Sequence, residues 1–154
     1  MPDKETLERA ERDKREGKSP STQAGEFVRE EMHHVREGKH GVRSTKQAIA
    51  IGLSKARRAG VELPAPSAGR ESEQTREKAE HDLERGESGA RPSRRRAQAS
   101  RTALKREGRA GASPRALSRQ ARGAARRRTR SARSAAARKA AATRRRGRGS
   151  RSRT

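Results

Sequence analysis

The chain has 154 residues and a net charge of +23, from 42 Lys and Arg against 19 Asp and Glu. Hydrophobic residues make up only 27%, Phe27 is the single aromatic and cysteine is absent. This composition excludes disulfides, thiolate metal sites and a large apolar core. The opening Met1-Pro2-Asp3-Lys4-Glu5 is polar and no run approaches a membrane span, so a soluble, intracellular protein is expected.

The expected fold class is mostly disordered with all-α islands: a short helical hairpin at about 22–60, solvated charged helices and a disordered basic tail. The expected organisation is a charged helical segment at 1–20, a helical hairpin core at 21–63, a Pro/Ala/Gly linker at 64–71, a charged helix at 72–85 and a disordered Arg/Ala-rich tail at 86–154.

Residues 3–16 predict an exposed helix. Glu5/Arg9, Glu8/Arg12 and Glu11/Arg15 are i,i+4 pairs worth about 0.3 kcal/mol each, while only Leu7 and Ala10 are apolar. Ser21 or Thr22 is positioned to cap a helix over 23–37 that Gly38 ends. Ala24, Val28, Met32 and Val35 form its stripe, flanked by Phe27 and His34. After the turn Gly38-Lys39-His40-Gly41, Ser44-Thr45 predicts a cap for a helix over 46–59, with Gly60 as its stop. Ile49, Leu53 and Ala56 form its stripe, flanked by Ala48, Gly52 and Ala59. Gly52 costs about 1 kcal/mol against Ala inside a helix, which a close helix contact would offset. Ile51 falls on the opposite side with Lys55 and Arg58, where a two-helix hairpin leaves it exposed. It is therefore the candidate self-association residue, with a homodimer as the expected assembly. Val61 and Leu63 are placed to fold back over the hairpin.

Thr6–Gly17 and Thr75–Gly86 form a short internal repeat, matching at Thr, Glu, Ala, Glu, Asp and Gly. Beyond it, Ser93 predicts a cap for a helix over 94–106, and Ser113-Pro114 opens another over 115–128. Residues 134–143 are Ala-rich and helix-prone, whereas 144–154 are expected to be irregular.

The segment EFVREEMHHVREGKHG at 26–41, continuing as STKQAIAIGLSKARRAG at 44–60, resembles a family of small, uncharacterised bacterial proteins known as a domain of unknown function. KQAIAIGLSKAR is its most specific part, and a basic Ala-rich tail is usual. The resemblance implies no catalytic residues. The tail is similar in composition to histone H1-type and protamine-like tails, with Arg in place of most Lys.

Function is expected to follow charge. Residues 86–154 hold 24 Lys and Arg against only Glu87 and Glu107, whereas residues 1–85 hold 18 against 17. Such a segment repels itself until a polyanion neutralises it. The expectation is a non-enzymatic, sequence-independent duplex-DNA binder of nucleoid-associated, histone H1-like type, in the cytoplasm at the nucleoid. The expected contacts are the triplets Arg94, Arg95, Arg96; Arg126, Arg127, Arg128; and Arg144, Arg145, Arg146. Gly147-Arg148-Gly149 is a single RGG-like element. The tail has no aromatic on which bases could stack, which favours duplex over single strand. Two alternatives stand beside this reading: a disordered, hydrophilic stress-protection protein and an RNA-binding accessory protein. No elbow or phosphate loop occurs. His33, His34 and His40, with Glu31 and Glu37 as contributors, read as solvated rather than as a metal site. No metal, cofactor, small-molecule substrate or membrane is expected.

Overall fold

The computed structural model describes residues 1–69, 71–89 and 93–151, with the side chains of 143 and 145–151 excepted. Among these residues the chain is all-helical: α1 (Lys4–Arg15), α2 (Pro20–Arg36), α3 (Thr45–Arg58), α4 (Glu73–Glu87), α5 (Arg94–Lys105), a 3₁₀ turn (Ala110–Ala112), α6 (Pro114–Arg127) and α7 (Arg130–Arg151). The expectation of a mostly disordered chain with a disordered tail is thereby corrected. Two compact units are present, Met1–Leu117 and Ser118–Thr154.

Helix boundaries follow local chemistry closely. The Ser44 hydroxyl accepts from the Gln47 amide at 3.2 Å, and Ser93 and Ser113 cap α5 and α6 in the same manner. Gly38 and Gly60 follow α2 and α3 in the left-handed conformation, with φ of +78° and +87°. One start differs. Helix α2 opens at Pro20 rather than at Gln23, because proline at the first helical position forfeits no hydrogen bond.

In the first unit, α2 and α3 form the hairpin, and two small apolar clusters hold it. Ala10, Ala24, Phe27, Ala56 and Val61 make one, with Leu53 and Leu63 against it. Met32, Val35, Val42, Ala48 and Ala112 make the other, with Val28, Ile49, Ile51 and Leu117 against it. The centre of the α3 face is Thr45, Ala48, Gly52 and Ala56, while Ile49 and Leu53 are half-buried at its sides and Ala59 is exposed. At Gly52 an added Cβ would lie 2.7 Å from the Val28 Cα, so the two helices pass backbone to backbone there. Arg57, buried at the end of α3, donates to the Leu63 and Pro64 carbonyls and straps residues 61–64 over the hairpin.

The two copies of the repeat flank this hairpin, α1 on α2 and α4 on α3. Ala10 and its counterpart Ala79 are both buried. Asp13 pairs with Lys18 at 2.7 Å, and its counterpart Asp82 accepts from Ser54 and lies 3.5 Å from Arg58. Helix α1 is therefore docked rather than solvated. Its buried residues are Thr6, Ala10 and Asp13, spaced i, i+4, i+7, while Leu7 stays 40% exposed. A docking face built from Thr, Ala and Asp leaves no hydrophobic periodicity to detect.

The basic segment also begins inside the fold. The Gly41 and Val42 amides donate to the Leu104 and Gly108 carbonyls at 2.9 and 2.8 Å. Thr45 Oγ1 donates to the Gly111 carbonyl at 2.6 Å, and Arg36 Nε to the Ala112 carbonyl at 2.9 Å. Gly41 packs so tightly that an added Cβ would sit 1.8 Å from the Glu107 oxygen. Ala112 is fully buried in the second cluster, and Leu117 packs beside it. This extra layer enlarges the core beyond the hairpin alone. It also changes the position of Ile51, which is half-buried against the second cluster and not exposed as expected.

The second unit comprises the remainder of α6 and the 22 residues of α7. Ala and Arg are among the best helix formers, each within a few tenths of a kcal/mol of the optimum. Repulsion between arginines at i,i+4 is of similar size, about 0.2–0.5 kcal/mol per pair, and the alanines between them keep such pairs few.

Candidate nucleic-acid interface and a buried carboxylate cluster

The expected contact residues occupy different parts of the fold. Arg94, Arg95 and Arg96 form the first turn of α5 and are exposed. That turn holds no acidic residue, so three cations sit where the helix dipole is already positive. The arrangement is electrostatically unfavourable alone and complementary to an anion. Arg126 and Arg127 close α6, Arg128 follows it, and all three are exposed. Arg144 is exposed on α7, its Nε 3.4 Å from the Ala140 carbonyl. Arg145 and Arg146 belong to α7, but their side chains lie outside the described residues, as does that of Arg148 within Gly147–Gly149. Linker residue Arg70 and residues 152–154 lie outside them altogether.

Sequence reasoning weighted triplets and passed over periodicity. Arg119, Arg122 and Arg126 recur at i, i+3, i+7 along α6 and form an exposed basic edge, with the half-buried Ala124 on the opposite side. Arg130 and Arg133 make a similar i, i+3 pair on α7. Each spacing is legible in the sequence once the segment is read as helix.

Among the described residues, no arginine from Arg94 to Arg144 is ion-paired with a carboxylate. Glu107, one of the segment's two carboxylates, lies 3.3 Å from Arg43 and serves the docking of the segment on the hairpin loop. The first 85 residues behave oppositely. Arg9 bridges Glu26 at 2.6 Å and also reaches Glu5, and this hydrogen bonding to Glu26 raises its pKa further.

The densest charge cluster joins α2, α3 and the loop between them. Glu31 is completely buried and Glu30 nearly so. Lys55 Nζ lies 2.7 Å from Glu31 Oε2 and 3.1 Å from Glu30 Oε1. His40 Nε2 lies 3.2 Å from Glu31 Oε1. His34 Nε2 meets Asp3 Oδ2 at 3.0 Å, a hydrogen bond that holds the Asp3 carboxyl below its ordinary value. The Asp3 amide donates to Glu30 Oε2 at 2.9 Å. Thus His34 and His40, expected in solvent, face the cluster; their ring centroids are 6.2 Å apart and nearly perpendicular.

Residues 17–66 match the Family of unknown function (DUF6496). The match takes in α2, the loop carrying His40, α3 and the strap behind it, about a third of the chain. It includes Glu30, Glu31, His34, His40 and Lys55 and excludes the basic segment. No curated protein and no solved structure matches the chain. Among the described residues, no helix is long and apolar enough to cross a membrane.

Proposed function

We propose that the chain is a non-enzymatic nucleic-acid-binding protein that holds duplex DNA without sequence preference, in the manner of nucleoid-associated, histone H1-like proteins. The observation that supports this reading is the exposed, carboxylate-free set of arginines from Arg94 to Arg144. Phosphate contact requires cations that are not already neutralised, and counterion release then drives association. The segment has no aromatic to stack on an unpaired base, which favours duplex over single strand. Helices of this length suit a duplex: at 1.5 Å per residue the 22 residues of α7 span about 33 Å, the length of about ten base pairs. The stress-protection alternative rested on disorder, which the helical fold does not supply.

The test is fluorescence anisotropy of the full chain with duplexes of scrambled sequence, the matching single strands and a hairpin RNA at one salt concentration. Duplexes of different sequence should bind within about threefold of one another, because phosphate contacts position without specifying. Single strands should bind more weakly. Preference for the RNA hairpin would move the reading to RNA, and absence of binding at low salt would end it.

A further inference from the structure

Beyond nucleic-acid binding, we infer that Glu31, His34 and His40 form a binding site for a divalent transition-metal ion, with zinc as the best match to the donor set. The three residues each offer one ligand atom, and these atoms lie within 4.8 Å of one another. Glu31 and His34 are i, i+3 on α2 and share a face, while His40 comes from the α2–α3 loop.

Three observations carry the assignment. First, Glu31 has no solvent exposure, yet neither carboxylate oxygen accepts an aligned hydrogen bond. Lys55 and His40 approach it closely but off the hydrogen-bonding direction. A buried carboxylate without aligned donors is costly, and a bound cation removes that cost.

Second, the imidazoles are oriented as ligands. His40 Nδ1 donates to the Gly41 carbonyl at 3.1 Å, which orients the ring so that Nε2 points at Glu31 Oε1. A proton or a metal ion between Nε2 and Oε1 makes their 3.2 Å approach favourable. That separation is also the ligand-to-ligand distance of a tetrahedral zinc, about 3.3 Å for bonds of about 2.0–2.1 Å. His34 Nε2 is held by Asp3, and its Nδ1 lies 3.9 Å from Glu30 Oε1. A carboxylate on the outer nitrogen of a ligating histidine orients the ring and raises its basicity.

Third, the local charge has the sign a cation needs. Glu30 and Glu31, both buried, share a single ammonium, Lys55, so the buried carboxylates outnumber the lysine that pairs with them. Lys55 holds Glu31 Oε2 and leaves Oε1 to the metal. Two imidazoles and one carboxylate suit zinc and its first-row neighbours rather than magnesium or calcium, which prefer oxygen donors. The ion would tie the loop to α2, next to the Gly41 and Val42 amides on which the basic segment docks.

The test uses the untagged full chain titrated calorimetrically with ZnCl₂, with MgCl₂ as control, and with Co²⁺ as a spectroscopic substitute. The expected result is one zinc per chain, a raised Tm with zinc and not with magnesium, and a Co²⁺ visible spectrum of tetrahedral intensity. His40→Gln and His34→Gln should each weaken zinc binding at least tenfold, whereas His33→Gln and His81→Gln, which alter exposed histidines, should leave it unchanged. Circular dichroism checks that each variant is folded. If one unfolds, the Co²⁺ spectrum of the unaltered chain and the remaining variants decide. Zinc binding no tighter than millimolar, or binding that both His34→Gln and His40→Gln leave intact, overturns the site.

Discussion

The hairpin with its flanking helices and the basic segment use the same charged residues in opposite ways. In residues 1–85, 18 cations meet 17 carboxylates, and the pairs are built into the packing, as in Arg9–Glu26, Lys18–Asp13 and Lys55–Glu31. In residues 86–154 the ratio is 24 to two, and the described arginines project into solvent without an acidic partner. Charge in the first region sets the arrangement of helices. Charge in the second is available to something outside the molecule. Removing one cation should therefore damage stability in the first region and binding in the second.

The sharpest contrast is at Lys55. Lys55→Met leaves Glu30 and Glu31 buried without their ammonium, and the stability loss in urea unfolding should be about 3–5 kcal/mol. A loss below about 1 kcal/mol would break the claim that buried charge organises the hairpin. Next comes Gly52→Ala. Its new Cβ would enter the Val28 backbone, so overpacking should outweigh the gain in helix propensity and cost about 1–3 kcal/mol by the same measurement. A stabilised variant would show that α2 and α3 do not pass so closely. Ser44→Ala removes the hydroxyl cap of α3 and should cost about 1 kcal/mol. At the bottom of the scale is the triple change of Arg94, Arg95 and Arg96 to Gln, which touches no ion pair, removes cations from the positive end of the helix dipole and should cost no more than about 0.5 kcal/mol of stability. A larger loss would place these arginines in the structural class.

Several helix ends were legible because helix punctuation is local, but the helical order of the basic segment, expected to be disordered, was not. Ser44, Ser93 and Ser113 as caps, and Gly38 and Gly60 as stops, mark the ends of helices wherever they pack. What escaped was docking through small and polar residues. Thr6, Ala10 and Asp13 bury one side of α1 with no hydrophobic signature, and Gly41 and Gly111 admit the chain near Glu107 and Ala112 only because they lack a side chain. Missing that layer made Ile51 look exposed. The candidate interface was legible in its charge but not in its geometry, since Arg119, Arg122 and Arg126 align only once α6 is a helix. The convergence of Glu31, His34 and His40 needed the loop to turn His40 back onto α2, a loop conformation that residue spacing does not encode.

The most direct measurement is the salt dependence of duplex-DNA affinity for the full chain and for the variant with Gln at 94, 95 and 96. If about ten of the segment's 24 cations sit on phosphates together, log Kd against log salt concentration should change with a slope of magnitude near 9, at about 0.9 per phosphate. The triple variant should flatten that slope by up to about 3 while retaining the helical circular dichroism of the parent. A slope near zero, or a variant that keeps both the full slope and the full affinity, would contradict the assignment of binding to the exposed arginines.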